Sequence, residues 1–153
     1  MTYTYTRART KTACRVVGID RQKLTDAINT GDYGCAPSTT AGVARVFDVD
    51  DMTALFFYER LTARGVPSRR AGGVACLVLG QMRNDPAAER IVIAWTFAGN
   101  DHVASEKDWS VGARNAHHGT PLLYTEIYDV GNVRKLITER LAEEGTIAGA
   151  ADE

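Results

Sequence analysis

Cysteine is scarce in this sequence of 153 residues. Its three copies, Cys14, Cys35 and Cys76, fall at unrelated spacings, with no C-x-x-C pair and no histidine cluster beside them. That pattern excludes a zinc site of the usual kind and, being odd in number, reads as reduced thiols. Cys14 and Cys76 lie in apolar helical patterns and are expected in the core; Cys35 lies in a loop, where a thiol-sensor role is the alternative. Long apolar runs are missing too: none approaches the roughly 18 residues a bilayer crossing needs. The opening MTYTYTRARTK is basic but has no apolar middle region of a signal peptide, so cytoplasmic residence without membrane contact is expected.

Catalytic signatures are equally sparse. AGGVA sits inside a helical pattern instead of joining a strand to a helix, so it is no phosphate cradle. His102, His117 and His118 share a polar stretch with Asp101, Glu106 and Asp108, but no H-x-x-x-H or carboxylate helix accompanies them. No nucleophile and base stand together. No enzymatic activity, metal or cofactor is expected.

What the chain does have is an uneven charge. The net value of −1 hides 12 Lys/Arg against 7 Asp/Glu in residues 1–84, net +5, and 6 against 12 in residues 85–153, net −6. A basic half suited to phosphate is followed by an acidic half that would repel it. With 44% hydrophobic and 24% charged residues, the composition is that of a globular protein.

Periodicity divides the chain at Asn84-Asp85-Pro86. Residues 1–9 read as a flexible arm and 10–17 as a short helix with Ala13, Val16 and Val17 facing inward, broken by Gly18. Asp20 is placed to cap a second helix with Leu24, Ala27 and Ile28 on its apolar face, ending near Asn29 to Gly31. GDYGCAPSTTAGVARVF, 31–47, reads as loop and hairpin, with a β-like run over Val43 to Phe47. Asp48 and Asp51 open a long helix whose stripe of Met52, Leu55, Phe56 and Glu59, with Leu61 following, is expected to face inward, and Gly65 stops it. Pro67 and Ser68 open another that is apolar nearly all round, with Gly72, Gly73 and Gly80 permitting close approach. Beyond the boundary, IVIAWTF (91–97) and LLYTEIYDV (122–130) read as paired strands. Asn132 is expected to cap a last helix carrying Val133, Leu136, Ile137 and Leu141, and the chain to fray from Gly145.

The order helix, turn, helix, hairpin, long helix, buried helix resembles the winged helix-turn-helix domain of MerR-like transcription regulators. The likeness rests on the helix after GID, on Arg45 and Phe47 closing the wing, on the Asp-x-Asp-Asp-Met opening at Asp48 and on YERLTARGVPSRRAG, and covers roughly residues 10–84. LTDAINTGDY stands where the family has a tyrosine-rich ending to its recognition helix. An α/β segment stands where members have a long antiparallel dimer helix, so the chain would be an atypical member. The fold class expected is α+β: a mostly helical winged domain with a small β wing over 1–84, then an α/β dimerisation or sensing region over 85–153 with two strands and a terminal helix.

The resemblance implies double-stranded DNA as partner. A recognition helix aims its first turn into the major groove, so Arg21, Gln22 and Lys23 are the candidates for base or adjacent phosphate contact. Both cations are expected on an exposed turn. Ser38, Thr39, Thr40 and Arg45 would grip the backbone from the wing, with Arg7, Arg9, Lys11 and Arg15 as a basic flank. Arg69 and Arg70 either touch phosphate, the favoured reading, or pair with carboxylates of the long helix. Two strands are marginal alone, so the acidic half is expected to build a homodimer, or else a small-effector pocket around Trp95, Trp109 and Tyr124. The expected function is a sequence-specific DNA-binding transcriptional regulator acting as a homodimer. The alternatives are a phage-type excision or architectural factor that bends DNA, and a sensor or interaction module that has lost DNA binding.

Overall fold

The computed structural model describes residues 6–109, 116–117 and 120–144, which form an α+β fold. Strand β1 (Arg7–Arg9) runs directly into α1 (Thr10–Val17), whose buried side is Thr12, Ala13, Cys14, Val16 and Val17. Gly18, at φ 83°, ends α1, and the amides of Gly18 and Ile19 both donate to the Cys14 carbonyl. After Asp20 comes α2 (Arg21–Thr30), capped as expected by the Asp20 carboxylate on the Lys23 amide at 3.0 Å.

The arm and the hairpin differ from expectation. Residues 7–9 are β1, and they pair antiparallel with β2 (Val46–Asp48), Ala8 opposite Phe47. Both of those side chains are fully buried, which is what selects this register. Among the described residues, 31–45 contain no strand, so the expected hairpin is a loop. Pro37 offers no amide to a ladder there.

The two long helices exchange roles. Helix α3 (Val49–Ala63) opens on the cap expected at Asp48, and Asp51 completes a reciprocal box with it, each carboxylate accepting the other's amide at 2.8 and 2.9 Å. It was expected to bury one stripe, yet Asp51 to Leu55, Phe57, Tyr58 and Leu61 are all buried. The reason is position: α3 packs against α1 on one side and against α4 (Ser68–Asn84) and α5 (Val130–Glu144) on others. Polar members of α3 satisfy themselves, Thr53 donating to the Val49 carbonyl at 2.8 Å. Helix α4, expected to be buried all round, leaves Gly73, Leu77 and Gly80 exposed.

Among the described residues four strands, not two, follow α4. β3 (Ile91–Thr96), buried along its whole length, is flanked antiparallel by β4 (His102–Ser105) and β6 (Thr120–Tyr128), and β5 (Ala116–His117) adds to β6. β4 lies in the stretch taken as irregular, being short and led by a polar residue. The expected pairing of IVIAWTF with LLYTEIYDV holds, Ile91 opposite Tyr128 and Trp95 opposite Tyr124. Helix α5 starts earlier than expected, with Asp129 accepting the Asn132 amide at 3.2 Å. The fraying expected from Gly145 lies outside the described residues. One buried cluster draws on both halves of the chain, from Ala8 and Leu24 through Leu55 to Ile93, Ile137 and Leu141. No helix among the described residues is long and apolar enough to cross a membrane.

The cysteines also differ from expectation. Cys14 is buried and free, but Cys35 and Cys76 are joined in a disulfide, their Cα atoms 5.5 Å apart. Gly72 makes this approach feasible: a Cβ there would stand 1.7 Å from the Asp32 carbonyl oxygen. One helical turn on, Cys76 meets the same segment. A separation of 41 residues hides the pairing from spacing rules.

Candidate nucleic-acid interface

The α1–α2 unit is built by its apolar faces. Ile19 in the turn, with Leu24 and Ala27 of α2, is buried against α1 and its neighbours, so the other flank of α2 must meet solvent. The exposed positions there are Arg21, Gln22, Thr25, Asp26 and Asn29. Thr25 and Asn29 were not singled out from sequence, although they follow Arg21 at four-residue intervals and form one stripe with it.

Helical phase separates the three candidates of the first turn. Arg21 is exposed and makes no hydrogen bond or ion pair among the described residues. Gln22 is exposed and donates to Asp26 at 2.8 Å. Lys23 is not on a free turn: its ammonium donates to Glu59 at 2.6 Å and Thr62 at 2.7 Å, so it staples α2 to α3. Among the described residues, the side-chain partners of Gln22 and Lys23 all lie in the first half of the chain, and Arg21 has none. A groove of about 380 Å³ beside Lys23 is lined by Asp20, Asp26 and Asp32 as well as Gln22. Phosphate is repelled on that side, which leaves the Arg21–Thr25–Asn29 side open to it.

The other candidates divide in the same way. Ser38, Thr39 and Thr40 are exposed in the loop between α2 and β2; Thr39 is turned back, donating to the Val43 carbonyl at 2.6 Å. Arg45 donates to the Pro37 carbonyl and closes the base of that loop. Arg15 pairs with Glu144 at 3.0 Å and touches Thr12. Arg7, Arg9 and Lys11, on β1 and α1, have no ion-pair or hydrogen-bond partner among the described residues.

Of the pair at the start of α4, Arg69 is exposed without a partner among the described residues, whereas Arg70 is committed to the fold. Its Nε and Nη2 both donate to Asp101 at 2.8 Å, Nη2 also donates to the Thr96 carbonyl, and the guanidinium lies 5.2 Å from the Trp95 ring centre. Asp101, only 2% exposed, accepts the Thr96 amide as well. Within the chain the partner of Arg70 is Asp101 in the turn between β3 and β4, not a carboxylate of the long helix. Sequence gave no distance between residues 70 and 101, so this clamp could not be foreseen.

Trp95 and Tyr124 stack at 6.2 Å and line a cleft of about 350 Å³ with Arg64, Arg70 and Leu123. Trp109 borders a separate cleft beyond Tyr124 and its ring lies 6.1 Å from His102, so the three aromatics do not enclose one pocket. The side chains of His117 and His118 lie outside the described residues. Comparison with protein-family models and with curated proteins returns no match.

Proposed function

We propose that the chain is a sequence-specific DNA-binding regulator, an atypical winged helix-turn-helix protein that reads the major groove with the outer flank of α2. The observation that carries this reading is the distribution of cations without a side-chain partner among the described residues: Arg7, Arg9, Lys11 and Arg21 lie on β1, α1 and the start of α2, with Arg69 and Lys135 apart on α4 and α5, while Arg15, Lys23, Arg45 and Arg70 are tied into the fold. Arginine presents paired donors to guanine, and Thr25 and Asn29 add short polar groups one and two turns along the same flank. The exposed loop 37–43 stands in the wing's place in the chain, with Ser38 and Thr40 offering hydroxyls to the backbone. Helix α1 braces α2 from behind, so the reading flank is held rigid.

The acidic groove narrows the contact set to Arg21, Thr25 and Asn29 on the helix, with Arg7, Arg9 and Lys11 of β1 and α1 as flanking cations. Leu123 and Ile127, 55% and 57% exposed on β6, offer a second copy an apolar surface, so two chains per duplex are expected. The test is a fluorescence-anisotropy titration with duplexes enriched by the protein from a random pool. Arg21→Ala should weaken binding by about tenfold or more, the scale of one good base contact, with an unchanged melting temperature. Equal affinity of variant and wild type, or no enrichment of any duplex, sinks the proposal.

A further inference from the structure

The segment after α2 is fastened at three successive points, two on α4 and one on α3. The Asp32 carbonyl lies against Gly72, whose missing Cβ leaves the space. Tyr33 is buried, its ring 5.0 Å from that of Tyr58. Cys35 is bonded to Cys76. Beyond this point the loop has little else to hold it: the hydrogen bonds of residues 37–43 to Arg45, Thr39 and Val43 all close within the loop. Its far end is anchored at β2, by the pairing with β1 and by the buried Phe47.

From this arrangement we infer that the Cys35–Cys76 bond is a reversible redox clamp that sets the order of loop 36–45 and thereby tunes the contact surface beside α2. The inference rests on the DNA-binding reading, which puts the chain where thiol reductants are abundant; disulfides found there are mostly transient and redox-sensing. Both cysteines are only partly buried, so a small dithiol can reach the bond. One thiolate of the dithiol attacks a cysteine sulfur, the Cys35–Cys76 bond breaks, and the displaced sulfur leaves as a thiolate and takes up a proton. The second thiol of the reagent resolves the mixed disulfide. Two electrons pass to the protein, which holds two thiols, and the dithiol becomes a cyclic disulfide; oxidised reagent reverses the exchange. Cys14 stands apart from this chemistry. Burial pushes its thiol up to about 11, so it stays protonated and poorly nucleophilic near neutral pH.

The experiment is amide hydrogen exchange on the full chain, oxidised and after dithiothreitol, with thiol alkylation and mass spectrometry to count the thiols. Reduction should expose two further thiols and speed exchange in 36–45 by about tenfold or more, while α3 and β3 stay protected. Cys76→Ser should match the reduced pattern without reagent, and Cys14→Ser should leave the switch intact. Reduction of the wild-type chain decides the matter even if Cys76→Ser folds poorly. DNA affinity should fall by about tenfold on reduction as the loop loses its preset position. Unchanged exchange in 36–45, or three alkylatable thiols in the oxidised chain, overturns the clamp. A tenfold exchange change in a protein that binds no duplex in either state would keep the clamp and discard DNA binding, so the two failures are distinguishable.

Discussion

The first turns of α2 and α4 carry the same kind of sequence and do opposite things with its members. In α2, Arg21 has no side-chain partner among the described residues and Lys23 is tied to Glu59 and Thr62; in α4, Arg69 likewise has none and Arg70 is clamped to Asp101. Phase explains both pairs. Lys23 and Arg70 stand four residues before the buried Ala27 and Val74, and so lean toward the body. Arg21 and Arg69 stand four residues before the exposed Thr25 and Gly73. A cation at a helix start is a candidate for a partner outside the chain only when its phase places it over the solvent stripe.

The sharpest way to break this comparison is at Arg70. Arg70→Ala leaves the nearly buried Asp101 carboxylate without its guanidinium and should cost on the order of 3 kcal/mol, because an abandoned buried charge is expensive. Arg69→Ala should change stability by less than about 0.5 kcal/mol. Urea melts of the two variants check the contrast; equal costs would erase it.

A second effect, on the order of 3 kcal/mol across its whole range, tests how tightly the long helix is enclosed. Burial pushes the Asp51 carboxyl up from 3.8 to about 6, against the pull of Arg83 at 2.8 Å. The folded chain therefore binds this proton more tightly than the unfolded chain. The stability it contributes is fully present below pH 3.8 and is lost as pH rises through about 6. Asp51→Asn should flatten that part of a stability-against-pH curve, and an identical slope in the variant would contradict the enclosure of α3. Smaller still, Lys23→Ala should cost about 0.5–1 kcal/mol, discounted because the pair with Glu59 is partly solvated. Arg21→Ala should cost nothing measurable.

What sequence revealed and what it hid follow from the range of each interaction. Local chemistry was legible: the Asp20 and Asp48 caps, the breaks at Gly18 and Gly65 and the pairing of β3 with β6 depend on neighbours or on strong patterns. Distant partners were not. Ala8 opposite Phe47, Arg70 on Asp101 and Cys35 on Cys76 join residues 31 to 41 positions apart, which no local period encodes. At the candidate site Arg21 and Gln22 remain outward as expected, Lys23 does not, and Thr25 and Asn29 join them. The periodic rule that placed Leu24 and Ala27 inward would have identified both.

The most direct measurement is the salt dependence of affinity for an enriched duplex, compared among wild type, Arg21→Ala and Lys23→Ala. Each cation that meets DNA releases about one counterion, so Arg21→Ala should reduce the slope of log affinity against log salt by about 1 while Lys23→Ala leaves it unchanged. Equal slopes for all three proteins, or a loss confined to Lys23→Ala, would contradict the assignment of the outer flank of α2 to DNA.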